Sequence, residues 1–412
     1  MPIIRPFCAL RPRPDIAHLV ASLPYDVMNP EEARKMAADN PLCFLHVTRA
    51  EIDLPNQTNP HSDEVYEKAR ENFNRFVREK ILEKDQNPSF YVYALTMHHR
   101  RQAGLVACCS IDDYVDDIIR KHEHTRPEKE NDRIRHMQHL SAQTGPIFLT
   151  FKDNLEINDI IKQSTSANPI ISFVSNDEIQ HEVWQVKQAE TIQRLMELFE
   201  KEVTALYIAD GHHRAASAVK VGMERRKNNP LHTGTEPYNY FLAVLFPASQ
   251  LQILDYNRVV KDLNGKLPSK LIEEISVNFE VQQVDTPYKP ESPHLFGMYL
   301  DFTWYKLTAK PNIISNDPIG SLDVSILQDY LLGPLLGIDD PRTNKRIDFV
   351  GGIRGLSELE KRVNSGEMAV AFSLYPVSLT QLMAVSDAGC VMPPKSTWFE
   401  PKLRDGLFVH LI

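Results

Sequence analysis

Cysteine, glycine and positive charge are all scarce. The 412 residues hold five cysteines, Cys8, Cys43, Cys108, Cys109 and Cys390, an odd number with no Cys-x-x-Cys pairing. That argues against a disulfide scaffold or a cysteine zinc cluster and leaves reduced thiols in a cytoplasmic protein as the expectation. Glycine occurs 16 times against 28 prolines. This excludes collagen and flexible Gly-rich linkers and points to rigid turns. The net charge of -9 lacks the basic surface of a general nucleic-acid binder, so no nucleic acid is expected as a partner. No run of about 18 apolar residues is present, so no membrane partner is expected either. The N-terminus, MPIIRPFCALRPRP, has no apolar core of a signal peptide. Neither GxxxxGK[ST] nor GxGxxG occurs, so the two common nucleotide fingerprints are missing.

What is present is an ordinary globular mixture. A hydrophobic fraction of 42% and a charged fraction of 25% rule out disorder as the main state. The length suggests two or three domains. Strand-like and helix-like segments alternate without a repeat. Residues 90–97 and 104–111 read as a β-hairpin and 63–84 as an amphipathic helix. The charged stretch 116–143 is split at Pro127. Residues 188–203 read as a helix, 238–247 as a strand, 268–278 as a helix and 294–309 as long β-segments. A strand at 369–375, a helix at 378–385 and a polar tail from Asp387 to Gly406 follow. The expected class is α/β with mixed, α+β-like sheets. The expected domains are a main α/β domain over 1–250, an α+β subdomain over 251–320, and a C-terminal segment over 321–412 that returns to the main domain.

The most informative segment is the apolar strand Ala205–Ala209, which runs into Asp210-Gly211-His212-His213-Arg214 and then a helix. The helix's apolar stripe is Ala215, Ala218, Val219, Gly222 and Met223. Such a turn aims free backbone N–H groups and the positive helix end at one point, which suits an anion. Gly211 permits positive φ or close approach. Arg214 offers a planar donor fork for phosphate. Asp210 suits a magnesium ion or the orientation of a histidine. The plainer alternative is a capping Asp210 with two turn histidines.

Three further segments carry polar groups in unusual settings. His122-Glu123-His124-Thr125-Arg126-Pro127, with Asp132 and Arg133, supplies acid–base groups or a solvated helix face. A zinc site from His122, His124, His212 and His213 has no cysteine spacing in support. Pro24-Tyr25-Asp26-Val27 fixes Asp26 either at a site or as a helix cap. Asn40–Val47 reads as a turn into a buried strand, with His46 in the core. Val391–Lys402 is a proline-stiffened loop that presents Lys395, Ser396, Thr397 and Lys402 to phosphate or substrate, or else a strap over the core. A polar turn of Arg342, Arg346, Asp348, Gly351, Gly352 and Arg354 surrounds the strand Ile347–Val350.

In order, PYDV, NPLCFLHV, HEHTRPEKENDR, IADGHHRAASA, NRVVKDLNG, RIDFVGG and MPPKSTWFEPKLRDGLF resemble the bacterial and archaeal family catalogued as domain of unknown function 1015. The resemblance spans nearly the whole chain. The DGHHR segment is also similar to the phosphate-binding helix start of the ParB and sulfiredoxin superfamily. Free-serine kinases of that superfamily move a phosphoryl group from ATP or ADP to L-serine. His212 stands where sulfiredoxin has its reactive cysteine, so peroxiredoxin repair is not implied. The acidic chain without a helix-turn-helix does not suit the ParB partition role.

The resemblance implies a ParB/sulfiredoxin-like nucleotide-binding core with a smaller α+β subdomain. It further implies an ATP- or ADP-dependent kinase of a small hydroxy metabolite, L-serine or a similar compound. On this reading Asp210, Gly211, His212, His213 and Arg214 bind the nucleotide. Magnesium sits on Asp210 and Glu123. Asp26 or Glu123 takes the hydroxyl proton, and Arg126 and Lys395 neutralise transferred charge. The partners are a small-molecule substrate and, as an allowed assembly, a second copy in a homodimer. Two alternatives stand beside it. One is a nucleotide-binding regulatory protein without catalysis. The other is a metal-dependent hydrolase using His122, His124, His212 and His213.

Overall fold

A computed structural model describes residues 1–412. The chain forms two compact units, Met1–Leu251 together with Pro401–Ile412, and Gln252–Glu400. Both are mixed α/β. No helix is long and apolar enough to cross a membrane.

The first unit is built on a nine-stranded sheet. Its strands are β1 (Ile4–Arg5), β2 (Phe90–Met97), β3 (Arg100–Ser110), β4 (Ile119–Arg120), β5 (Ile147–Phe151), β6 (Ile171–Val174), β7 (Gln180–Val186), β8 (Leu206–Asp210) and β9 (Tyr240–Pro247). They lie in the order β4-β8-β5-β9-β3-β2-β7-β6, and β1 pairs with β3. The runs FYVYAL in β2 and VACCS in β3 are buried at every residue. Burial on both faces makes a strand read as a continuous apolar run rather than an alternating one. The expected hairpin forms, with Tyr91 opposite Val106, and His98 taking a φ of 54° in its turn.

Three helices matter for the site: α1 (Asp63–Arg78), α2 (Pro127–Leu140) and α3 (His212–Asn228). Pro127 opens α2 at a position where a missing N–H costs nothing, so it starts the helix rather than merely splitting the charged stretch. Helix α1 buries Val65, Ala69, Phe73 and Phe76 against Phe44, Val47, Ile81 and Leu82. It ends at Arg78 rather than 84. Lys80 takes a left-handed φ of 53°, and Leu82–Lys84 pairs with Leu10–Pro12 as a strand. The expected turn into a buried strand over Asn40–Val47 is also corrected. Leu45–Thr48 is a single helical turn, closed by Arg49 N–H donating to the Leu45 carbonyl at 2.8 Å. So short an apolar run has no period to separate strand from helix, and one turn buries Leu45, Val47 and Thr48. His46 is half-buried, with its ring nitrogens 2.7 Å from Asp53 and 3.1 Å from the Asn40 carbonyl oxygen.

The second unit holds an antiparallel six-stranded sheet of β10 (Tyr256–Val260), β11 (Phe279–Val284), β12 (Leu295–Leu300), β13 (Thr303–Ala309), β14 (Ile347–Gly351) and β15 (Val370–Leu374). The order is β11-β13-β12-β15-β10-β14. The expected return of 321–412 to the main domain is therefore corrected. Residues up to Glu400 stay in the second unit, because the fully buried run VAFSL of β15 fills the slot between β10 and β12. Only Pro401–Ile412 belongs to the first unit.

Gly222 on α3 sits where an added Cβ would collide with the Tyr238 carbonyl oxygen and approach Ile111 Cδ1 at 2.8 Å. Gly222→Ala gains about 1 kcal/mol of helix propensity. The collision costs about 1–3 kcal/mol. The net expectation is destabilisation, read as a lower urea midpoint with an unchanged m-value.

Candidate functional site

The local sequence dictates the turn. Strand β8 is apolar through Ala209 and carries an irregularity between Ile208 and Asp210, which places the Asp210 carboxylate at the strand end. Gly211 then takes φ 95° and ψ 29°, a conformation that side chains rarely adopt, and α3 begins at once. No side chain caps α3. Its first N–H groups and the positive end of its dipole converge at the turn.

Arg214 is not the outward fork that its spacing suggests. The side chain folds back over Gly211, where a Cβ would lie 3.2 Å from its Nε. It is only 6% exposed. Nη1 donates to the Pro146 carbonyl at 2.6 Å, Nη2 lies 3.6 Å from Asp210 Oδ2, and the buried Nε has no partner. Burial works against the charge, yet the carboxylates of Asp26, Asp210 and Asp405 outweigh it and hold the guanidinium above its ordinary pKa. Lys402 Nζ lies 3.5 Å from Asp210 Oδ2. Burial disfavours the Asp210 carboxylate, but Lys402 and Arg214 override it and push its pKa down to about 2.

The histidines are held neutral. The His122 and His212 rings meet edge to face with centroids 4.6 Å apart. Burial pushes His122 down to about 4 and His212 further below its ordinary value. His213 Nε2 accepts from the Arg126 backbone N–H at 3.0 Å, which places its proton on Nδ1, and burial lowers its pKa as well. No group of three or more His, Cys, Asp or Glu side chains is gathered to hold a metal. The four-histidine hydrolase arrangement is therefore corrected: two rings pack on each other, and His124 is exposed on a loop. Magnesium on Asp210 and Glu123 does not fit either. The Asp210 carboxylate already faces two cations, and Glu123 is exposed and lines neither cavity described below.

Two cavities meet beside this turn. A small chamber of about 20 Å³ is lined by Arg214, Asp405, Thr144, Tyr25, Arg133 and His136, among others. The last three also line a larger cavity of about 370 Å³, which contains Asp26. The Arg133 guanidinium stacks 3.9 Å from the Tyr25 ring centroid and pairs with Asp132 at 2.6 Å. Asp405 is 2% exposed, and its Oδ1 is buried without a partner. Gly145 leaves room for it, since a Cβ there would collide with that oxygen. Burial pushes the Asp405 carboxyl up to about 7, with Arg214 opposing.

The first unit thus brings together Asp26, the Arg126 backbone and the whole Asp210–Arg214 turn. Lys395 belongs to the second unit, where its Nζ stands 5.8 Å from the Tyr256 ring centroid. The lysine beside Asp210 is Lys402. Arg133 was named with Asp132 in the charged segment, whereas Asp405 and His136 were not singled out by residue type and spacing. A signal for Asp405 exists, because LRDGLFVH places charges inside an apolar stretch, and all of Pro401–His410 is buried.

Residues 4–325 match the model of a family described as protein of unknown function (DUF1015). The chain belongs to that family. No curated protein matches it. Among solved structures, a conserved hypothetical protein from Pyrococcus furiosus is similar at 15% identity and a TM-score of 0.37, covering 74% of this chain and 95% of that one. A free serine kinase in complex with AMP is 12% identical with a TM-score of 0.35, covering 74% of this chain and 91% of that one. SbnI with a C-terminal truncation, from Staphylococcus aureus, is 12% identical with a TM-score of 0.39, covering 74% and 87%. Likenesses at these scores carry no argument for function, which rests on the site itself.

The raised Asp405 pKa makes a signed prediction. The native state keeps a proton that the unfolded chain releases near the ordinary carboxyl pKa of 3.8, so Asp405 supports folding below that pH and loses the contribution as pH rises through about 7. Asp405→Asn removes the titration. Urea midpoints at pH 4, 6 and 8 are expected to show the variant gaining on the native protein as pH rises, with a slope of at most about 1.4 kcal/mol per pH unit. A constant difference across that range contradicts the assignment.

Proposed function

We propose that the chain is a nucleotide-dependent phosphotransferase that acts on a small hydroxy compound, L-serine or a similar molecule. One observation carries this reading: a buried Arg214 guanidinium with an unpartnered Nε, set at the start of an uncapped helix of 17 residues. Buried donors are normally satisfied, so an orphaned one beside a helix N-terminus favours an anion as the missing partner. The reading is supported by the larger cavity, which shares Tyr25 and Arg133 with the chamber beside Arg214 and is lined by Asp26.

On this reading the first-turn N–H groups and Arg214 hold the phosphates of ATP or ADP, and Lys402 adds positive charge beside them. Phosphoryl transfer is mostly positioning and charge neutralisation, which these groups supply. Asp26 takes the proton of the acceptor hydroxyl. The neutral His122 and His212 shape the turn without adding charge.

The assay supplies ATP or ADP with a panel of hydroxy amino acids and follows the phosphorylated product. Product is expected with at least one pair. Asp26→Asn should lower kcat by about 10²–10⁴-fold and leave nucleotide affinity unchanged. Arg214→Lys keeps the charge but loses the planar fork, so nucleotide affinity should fall about tenfold, or about 1.4 kcal/mol, with a lower thermal midpoint as the bond to the Pro146 carbonyl is lost. No product with any pair, together with no heat of nucleotide binding, would sink the proposal.

A further inference from the structure

The C-terminal strap Pro401–Ile412 brings Lys402 to Asp210 and Asp405 to the small chamber. Its later part is tied down through the backbone. The Asp405 N–H donates to the Ser22 carbonyl at 2.9 Å, and the Ser22 N–H donates to the Asp405 carbonyl at 3.1 Å. Leu10 and Val409 exchange the same pair of bonds. The stretch Pro401–Arg404 lies outside any helix or strand. Its polar anchor is the Arg404 side chain, which is buried.

Arg404 fills a socket made by the turn between β6 and β7 and by Tyr93 of β2. Nη2 donates to Asp177 Oδ1 at 2.6 Å and lies 3.3 Å from Ser175 Oγ, and Nε donates to His181 Nε2 at 3.3 Å. Accepting on Nε2 leaves the His181 proton on Nδ1, which is 2.8 Å from Tyr93 Oη. The His181 ring stacks on Phe173 and Tyr93, with centroids 5.0 and 5.9 Å away. Burial and the Arg404 charge push its pKa down to about 3, so the ring remains an acceptor at neutral pH. The socket suits a guanidinium, whose planar fork meets Asp177 and His181 together.

A buried charge with one exposed carboxylate partner is a costly way to fasten a chain end, and apolar packing would do it at less cost. Directional bonds fix a register, which apolar packing does not. The charge itself is not what the site uses. Asp405 responds chiefly to Arg214, Asp26, Arg133 and Asp210, and Asp210 to Lys402, Arg214 and His212. Arg404 is not among these groups. Its link to the site runs through the backbone, since Asp405 is the next residue and Lys402 stands two before it.

We propose that Arg404 is a positioning residue, seated in the β6–β7 turn so that it sets the register in which Lys402 meets Asp210 and Asp405 enters the chamber. Its consequence for nucleotide binding rests on the phosphotransferase reading. Its hold on Asp405 does not. Loss of the Asp177 carboxylate frees the guanidinium and lets Lys402 and Asp405 shift together.

Asp177→Asn in the full chain removes that carboxylate from an exposed position and leaves Arg404, Lys402, Asp405 and Asp210 in place. Carbon-13 NMR follows the Asp405 carboxyl, and calorimetry follows ADP. The Asp405 midpoint is expected to fall by at least about half a pH unit toward the ordinary carboxyl value, as the group leaves its buried place. ADP affinity is expected to fall at least about threefold. Asp177→Glu keeps the carboxylate and should keep both readings. Arg404→Gln should repeat the loss, and Asp177→Asn decides alone should Arg404→Gln fail to fold. A lower thermal midpoint with the Asp405 titration or the ADP affinity untouched marks a merely structural clasp and overturns the inference, while ADP binding by the native chain leaves the phosphotransferase reading standing. No ADP binding by the native chain sinks that reading, and a shifted Asp405 titration then upholds this one.

Discussion

The site depends on one buried guanidinium. Taking Arg214 out of water is costly unless its donors and its charge are met. The surrounding sequence meets most of that cost in specific ways. Gly211 has no Cβ, so the side chain can lie back over the turn. The Pro146 carbonyl accepts from Nη1, and the Asp26, Asp210 and Asp405 carboxylates supply opposing charge. Gly145 makes room for Asp405 on the other side. Of its N–H donors only Nη1 makes a hydrogen bond; Nη2 reaches Asp210 at ion-pair distance and the buried Nε–H has no partner. These unmet donors are what the proposed anion would satisfy.

The electrostatics of the turn are fixed rather than switched. His122 and His212 are pushed well below neutral pH by burial, so neither adds an imidazolium near the phosphate position. Positive charge comes from Arg214, which neighbouring carboxylates hold above its ordinary pKa, and from Lys402 and the helix end beside it. The titrating group is instead Asp405, pushed up to about 7 by burial, which lines the chamber with Arg214 and Arg133. The proline-rich segments suit this rigidity. Pro127 opens α2 beside the Arg126 backbone that donates to His213, so the loop and the turn are locked together.

Much of this was legible in the sequence, and the exceptions have physical causes. The strand, glycine turn and helix around Asp210–Arg214 were readable because an apolar run, a glycine and a helical stripe follow one another locally. The direction of Arg214 was not, since residue type does not say whether a side chain folds back or reaches out. Lys402 and Asp405 come from the chain end and join the turn only through tertiary folding, so no local pattern pairs them with it. Lys395 shares its proline-stiffened loop with Lys402, and only the boundary at Pro401 separates the two. The Leu45–Thr48 turn failed as a strand for want of length. The split of the chain at 251 and 400 was half visible, because the buried run of β15 reads equally well as a strand of either sheet.

The central claim is that the Gly211–Arg214 turn holds a phosphate. Nitrogen-15 NMR on the full chain, with the Arg214 Nε–H and the amides of Gly211, His212 and His213 assigned, tests it most directly. Added ADP is predicted to shift all four signals along one saturating curve, with Arg214 Nε–H moving downfield as its vacant hydrogen bond forms. Saturable shifts confined to other residues, or no shifts at millimolar ADP, would contradict the account.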